Sequence, residues 1–343
     1  MRIGQPLLWP LSVPYAATSQ VRAALYKSKI VRPKHLPATV ISVGNLTVGG
    51  TGKTPMVLWI AERLLAEGHR TAVLTRGYRG QATNSTGLAG EAATWTSDEV
   101  QLLKSRLGPE VAFGVGADRF ATGRELLRHG VDWFVLDDGF QHLQLARDVN
   151  ILLIDATDPF GGGRVLPAGR LREPRSALAR ADIIVITRSD HAPAVEALIR
   201  RYSQAPIFYA FPQPLPVRFA RGDYPGEEDG RARSKRLFAF CGIGNPRAFL
   251  ADLRNWGFHI TACNFFPDHY HYAPRDIQKL EQHAIASGAE GLICTEKDVF
   301  NLGEGRTQTV EIRYCPISLQ VPDADGLWRA IETTAESRKT TPR

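Results

Sequence analysis

Residues 38–68 of the 343-residue chain, ATVISVGNLTVGGTGKTPMVLWIAERLLAEG, constrain the fold more than any other stretch. Ala38–Val43 reads as a short buried strand and Pro55–Glu67 as a helix. Val57, Ile60, Ala61, Leu64 and Leu65 keep helical spacing, Pro55 suits a first turn, and Gly68 suits the residue past the end. Between these elements, Gly49, Gly50 and Gly52 allow backbone N–H groups to turn inward around an anion beside the positive helix end. Lys53 is then expected to reach the β- and γ-phosphates of a nucleotide, and the Thr54 hydroxyl to ligate Mg²⁺. Thr47 stands where such loops usually open on glycine. It fits if its φ is negative, with flexibility supplied by Gly44 and the Gly49-Gly50 pair. Thr47, Val48, Gly49, Gly50, Thr51, Gly52, Lys53 and Thr54 form the expected phosphate cradle.

A metal partner should follow another apolar strand, and WFVLDDGFQH supplies it, with Asp137 and Asp138 after Trp133–Leu136. Carboxylates at strand carboxyl ends sit where open α/β sheets bind ligands. One can hold Mg²⁺ directly or through water while the other orients it or the nucleophile. Asp155, after Ile151–Ile154, is a weaker candidate. Thr71–Thr75, Ile183–Ile186, Ile207–Phe211, Leu237–Cys241, Ile260–Phe265 and Gly291–Cys294 complete a series of short apolar strands separated by helical segments. That alternation indicates an α/β fold with a mostly parallel sheet covered by helices on both faces. Pro212–Arg236, rich in Pro, Gly and charge, reads as a domain junction.

Charge distribution narrows the partners. No acidic residue precedes Glu62, whereas Arg2, Arg22, Lys27, Lys29, Arg32, Lys34 and Lys53 all lie before it. Leu7, Leu8, Trp9, Leu11, Val13 and Tyr15 lie upstream of most of these. An apolar, Trp-bearing stretch followed by basic residues suits an anionic membrane surface, and equally an ordinary helix packed on the core. Pro6, Pro10 and Pro14 argue against a secretory signal, and no apolar run approaches the ~20 residues of a membrane span. Cys241, Cys263, Cys294 and Cys315 form no C-x-x-C pair and read as buried thiols. A guanine-reading Asn-Lys-x-Asp element is matched only loosely by Thr187-Arg188-Ser189-Asp190. These features leave a transferase or hydrolase using ATP or GTP near a membrane, or a P-loop switch that binds a partner protein; no nucleic-acid partner is expected.

The order and spacing of VGNLTVGGTGKTP, TRGYRG, SDE, GADR, LDDGFQH, PAGRLREP, GIGNP, FPDHYHY and TEKD make the chain resemble the tetraacyldisaccharide 4'-kinase family over nearly its whole length. The resemblance implies a P-loop NTPase-like core with a second, smaller α/β lobe and an N-terminal amphipathic helix. The implied boundaries are 1–37 for the membrane-associating segment, 38–211 for the core, 212–236 for a linker and 237–343 for the second lobe. It implies transfer of the ATP γ-phosphate, with Mg²⁺, to the 4'-hydroxyl of a lipid A disaccharide precursor, by a peripheral enzyme on the cytoplasmic face of the bacterial inner membrane. No obligate protein partner is implied. By the same resemblance Asp98 is the base, partnered by His269 with His271 as the fallback. Glu173 lies near Mg²⁺, and Arg76, Tyr78, Arg119 and Arg172 contact substrate. Read without the resemblance, Asp98 is a first-turn helix carboxylate capped by Thr96 or Ser97.

Overall fold

The computed structural model describes residues 9–77, 85–88, 97–220, 229–303 and 310–340. Its strands are β1 (Thr39–Asn45), β2 (Thr71–Thr75), β3 (Ser85–Leu88), β4 (Ala112–Val115), β5 (Trp133–Leu136), β6 (Val149–Asp155), β7 (Ile183–Thr187), β8 (Ile207–Pro214), β9 (Arg218–Phe219), β10 (Arg236–Cys241), β11 (His259–Phe265), β12 (Gly291–Thr295), β13 (Glu311–Cys315) and β14 (Ile317–Gln320). The chain forms two compact units, one of residues 1–211 and 319–343, the other of residues 212–318.

The first unit is built on a sheet ordered β14-β8-β7-β6-β1-β5-β2-β4-β3. β1 runs parallel to both β5 and β6, pairing Ser42 with Leu136 and Val43 with Ile151. Every residue of β1, β5, β6 and β7 is buried, which is why these strands read as continuous apolar runs rather than alternating ones. The helix Lys53–Ala66 starts two residues before Pro55 and buries Met56, Val57, Ile60, Ala61 and Leu64 on one stripe. It stops where Gly68 turns to φ 82°, so that the His69 N–H reaches the Leu64 carbonyl at 3.0 Å. β3 and β4 were not anticipated; β4 is four residues with a central glycine, and β3 pairs with it antiparallel at an edge.

The second unit carries a sheet ordered β11-β10-β12-β13-β9, parallel except for β9 against β13. Alternate residues of β10 feed two separate cores. Phe238 and Phe240 join Ile277, Leu280 and Ala284 of the helix Pro274–Ala286, and Leu237, Ala239 and Cys241 join Phe249 and Leu253 of the helix Pro246–Asn255. This is a three-layer α/β/α arrangement.

Three expectations change. The segment expected to link the units, 212–236, lies in the second unit and contributes β9 and a helix at Asp229–Ser234 to it. The C-terminal helix Ala324–Thr340 belongs to the first unit rather than the second. It buries Leu327, Trp328, Ile331 and Ala335, sets the Trp328 ring 6.1 Å from that of Trp59, and joins Arg338 to Asp182 at 2.9 Å. Proximity in sequence to the second unit had misplaced it. Cys263 is exposed, not buried, because β11 is an edge strand. No helix of the described residues is long and apolar enough to cross a membrane.

Gly44 is required by close approach rather than flexibility. A Cβ there would lie 2.6 Å from both the Cβ and the backbone N of Phe140, and the Gly139 N–H donates to the Val43 carbonyl at 2.9 Å. The turn carrying Asp137 and Asp138 is thus pressed onto β1. Gly44→Ala is expected to destabilise the protein by about 1–3 kcal/mol, as overpacking does. The check is the urea midpoint at unchanged m-value; an unaltered midpoint would mean that the turn yields freely.

Candidate active site

Three carboxyl strand ends meet around the phosphate loop. β1 exits through Asn45, whose amide donates to the Thr47 carbonyl and to Thr51 Oγ1, both at 2.8 Å, fixing the loop from within. Gly49 and Gly52 adopt φ of 124° and 86°, conformations that L side chains rarely take, and Thr47 is not among the positive-φ residues. Val48 is held at both ends of its peptide. Its N–H donates to the Arg170 carbonyl at 2.8 Å, and its own carbonyl accepts from the Arg170 guanidinium at 2.8 and 3.1 Å. Arg170 is anchored in turn to Asp158 at 2.8 Å, so it braces the loop. Gly52 caps the following helix without any side-chain hydrogen bond, leaving the first-turn N–H groups to face an anion.

Lys53 Nζ lies 3.4 Å from Asn45 Oδ1 and 3.6 Å from Asp138 Oδ1. Asp138, at φ 49°, also receives Arg172 Nη1 at 2.7 and 2.8 Å on its two oxygens. Burial pulls the Asp138 carboxyl upward, but Lys53 and Arg172 outweigh it and hold the group below the ordinary carboxylate value. Asp137 is placed differently. Its side chain has the Thr75 hydroxyl at 3.4 Å, while Arg119 Nη2 donates to its backbone carbonyl at 3.2 Å. Burial, joined by the carboxylates of Glu99 and Asp138, pushes the Asp137 carboxyl up to about 7 despite Lys53 and Arg119.

The doublet thus contains one charge already matched by cations and one that is not. A divalent cation beside Asp137 would supply the missing charge, and the Thr54 hydroxyl, the carboxylates and nucleotide phosphates are the hard oxygen donors that Mg²⁺ prefers. Glu173 is buried, and its two oxygens accept from Arg180 at 2.8 Å each, so its charge is already answered by a guanidinium.

A cleft of about 500 Å³ opens here, lined by Arg22, Arg76, Arg119, Arg172, Gln141 and His142. Such a cluster of guanidinium groups favours an anion. Burial, with Arg119, Arg147 and Arg22 close by, drives His142 down to about 4, so its ring is neutral at physiological pH. The helix Trp9–Lys27 forms part of the wall through Tyr15 and Ser19. It docks through Ser12, which donates to the Val165 carbonyl and accepts from the Ala168 N–H at 3.1 Å each, and through Arg22, which donates to the Gln141 carbonyl. Leu11, Val13 and Val21 on the same helix are exposed. The helix is thus held by hydrogen bonds while most of its described residues, apolar ones included, stay exposed.

Asp98 is buried at the first position of the helix Asp98–Leu107, with Oδ1 accepting the Glu99 N–H at 2.8 Å. Ser97 occupies the cap position but its hydroxyl makes no capping hydrogen bond, contrary to expectation; Thr96 lies outside the described residues, as does Tyr78. In the second unit, His269 is partly buried and its Nε2 lies 3.4 Å from Lys297 Nζ, whereas His271 is exposed. Sequence reasoning overlooked Asn45, Arg22, Gln141 and His142. The last two sit inside LDDGFQH, whose order was the available signal.

A strand, a glycine-rich loop with lysine at a helix start, and paired carboxylates on the adjacent strand define a P-loop nucleotide-dependent phosphotransferase. Residues 4–336 match the model of the LpxK family, tetraacyldisaccharide-1-P 4'-kinase. The tetraacyldisaccharide 4'-kinase of Pelobacter propionicus is 39% identical over 345 residues, covering 95% of this chain and 91% of that one. That of Geobacter sulfurreducens is 40% identical over 341 residues, covering 96% and 93%. The crystal structure of LpxK from Aquifex aeolicus in complex with ATP aligns with TM-score 0.74 at 29% identity, covering 96% of this chain and 99% of that one. The chain belongs to the tetraacyldisaccharide 4'-kinase family and is an enzyme of lipid A biosynthesis, which sets aside the switch alternative.

The raised Asp137 carboxyl has a measurable sign. It binds its proton more tightly folded than unfolded, so its contribution to stability is full below about pH 4 and lost as pH rises to about 7. Without Mg²⁺, denaturant midpoints should fall across that window, and Asp137→Asn should flatten the fall. An equally steep fall in the variant would exclude Asp137 as its source.

Proposed function

We propose that Lys53, Asp98 and His269 carry the family reaction here, transfer of the ATP γ-phosphate to the 4'-hydroxyl of a tetraacyldisaccharide 1-phosphate. The observation that carries this reading is the Lys53 ammonium poised 3.6 Å from Asp138 beside an uncapped helix N-terminus. Residues Thr47 to Thr54 cradle the phosphates through backbone N–H groups, and Lys53 leaves Asp138 partly to meet the β- and γ-phosphates. ATP is the donor, as the ATP-bound Aquifex relative supports. Thr54 and Asp137 would hold Mg²⁺, supported by Asp138 and Glu173, and the ion would supply positive charge against the nucleotide phosphates.

A sugar hydroxyl holds its proton tightly, so a positioned base assists its attack. Asp98 takes that role, its carboxylate oriented by the Glu99 N–H, and His269 shares or relays the proton. Arg76, Tyr78, Arg119 and Arg172 bind the anionic acceptor; the cationic cleft supports this for the arginines. Acyl chains keep that acceptor in a bilayer, so the enzyme works peripherally at the cytoplasmic face of the inner membrane, docked by its N-terminal segment.

Kinetics test the chemistry. Lys53→Ala should lower kcat about a hundredfold or more, as loss of a preorganised charge contact does. Asp98→Ala should lower kcat by about 10²–10⁴-fold with little change in KM for ATP. A variant that kept its turnover and lost ATP affinity would make Asp98 a binding residue.

Sedimentation tests the docking. Replacing Lys27, Lys29 and Arg32 with Gln should weaken binding to anionic vesicles, each residue being worth on the order of 1 kcal/mol. Binding to neutral vesicles should change little. Equal binding of variant and wild type to anionic vesicles would show these charges to be merely solvated.

A further inference from the structure

TEKD is the motif whose purpose the reaction leaves open. Thr295 ends β12 and caps the single helical turn Glu296–Val299, with its hydroxyl accepting the Asp298 N–H at 3.2 Å and its N–H reaching Asp298 Oδ2 at 3.2 Å. Such a capping box works equally well at the surface. Here the carboxylate is 1% exposed, and burying it costs several kcal/mol unless its lone pairs are met. They are met from distant segments. Oδ1 accepts the Gly242 N–H at 2.8 Å and the Tyr272 hydroxyl at 2.7 Å, while Oδ2 also takes the Thr295 hydroxyl. One buried carboxylate thereby joins GIGNP, FPDHYHY and TEKD.

What these bonds hold is the backbone of His269. The Gly242 peptide is fixed at its nitrogen by Asp298, and its carbonyl accepts the His269 N–H at 3.0 Å. Residues 267–272 lie directly over it, since a Cβ on Gly242 would meet the Pro267 carbonyl at 2.9 Å and the Tyr272 hydroxyl at 3.2 Å. His269 itself sits at φ 59°, a left-handed conformation that costs a non-glycine residue on the order of 1 kcal/mol and persists only where its flanks are fixed. On one flank is Gly242. On the other is Tyr272, 2% exposed, its N–H on the Asn301 carbonyl at 2.9 Å and its ring edge-on to Phe240 and Phe266 at 5.4 and 5.0 Å.

The imidazole is set by the neighbouring residue of the same turn. Lys297 Nζ lies 3.4 Å from His269 Nε2 and 3.4 Å from Asp268 Oδ1. An ammonium only donates, so this contact favours Nε2 as the acceptor and the ring proton on Nδ1, with Asp268 Oδ2 farther from Nε2 at 3.9 Å.

We propose that Lys297 and Asp298 are positioning residues for His269: Asp298, through Gly242 and Tyr272, fixes its strained backbone, and Lys297 fixes its tautomer. This rests on the assignment of His269 to the reaction. The test compares Asp298→Asn, Tyr272→Phe and Lys297→Gln with His269→Ala in the full-length enzyme, using ATP and the disaccharide 1-phosphate. Tyr272→Phe removes one donor and leaves the ring packing, so it carries the test if Asp298→Asn fails to fold.

Each variant should lower kcat roughly ten- to a hundredfold, as a misplacement of about 1 Å does, with KM for ATP unchanged. Lys297→Gln should also shift the ¹⁵N signals of the His269 ring away from the Nδ1–H tautomer. The double variant His269→Ala/Tyr272→Phe should be no slower than His269→Ala alone, because the tyrosine acts through the histidine. Full kcat in His269→Ala would overturn the assignment of His269 itself. A collapse of kcat in His269→Ala, with Tyr272→Phe additive to it or without effect, would overturn the positioning role and leave the assignment standing.

Discussion

Adjacent carboxylates at the end of β5 force the rest of the first unit's site to be cationic. Two carboxylates side by side, one buried and one partly so, repel and lose hydration, so each needs its own remedy. Asp138 has Lys53 and Arg172, and is held ionised. Asp137 has the Thr75 hydroxyl and the fields of Lys53 and Arg119, which do not offset its burial, and is lifted to about 7. Placing the mismatch on the residue nearest the strand end keeps it beside β1, where the phosphate loop begins. Cationic side chains thus gather around the doublet, and burial leaves the Asp137 carboxyl holding its proton more tightly than an ordinary carboxylate.

Much of this was legible in the sequence because it is local. β1, β5 and β7 read correctly as buried strands since unbroken apolar runs have no other comfortable environment. The loop read correctly as a turn because Gly49 and Gly52 take φ values that only glycine adopts readily. What escaped was set by contacts between distant segments. Gly44 looked like a flexible residue, but its reason is Phe140, ninety-six positions away. Arg170 is one basic residue of PAGRLREP in the sequence, but in the fold it holds the Val48 carbonyl. Arg22 looked like one charge of a basic stretch, but it lines the cleft and grips the Gln141 carbonyl. No periodicity encodes such pairings.

Motif order carried more than motif content. Asp298 has the spacing of a helix cap, and nothing in TEKD alone says that its carboxylate also binds Gly242 and Tyr272. Glu173 likewise has the look of a metal ligand, and its fork onto Arg180 appears only when the chain is folded. Buried polar groups of this kind are satisfied by whatever the fold brings near, so their roles emerge last.

The route of the chain has a consequence for synthesis. The first unit is interrupted at residue 212 and resumes at 319, and its closing helix, Ala324–Thr340, supplies Trp328 and Ile331 to its core. A ribosome delivers those residues after the whole of the second unit. The second unit is complete in sequence before the first, so it is free to fold while its host still lacks a wall, and the exposed face of β6 and Trp59 waits for the final turns of the chain. A polypeptide that stops a few dozen residues early would lose the nucleotide-binding unit's packing, although every nucleotide-binding residue had already been made.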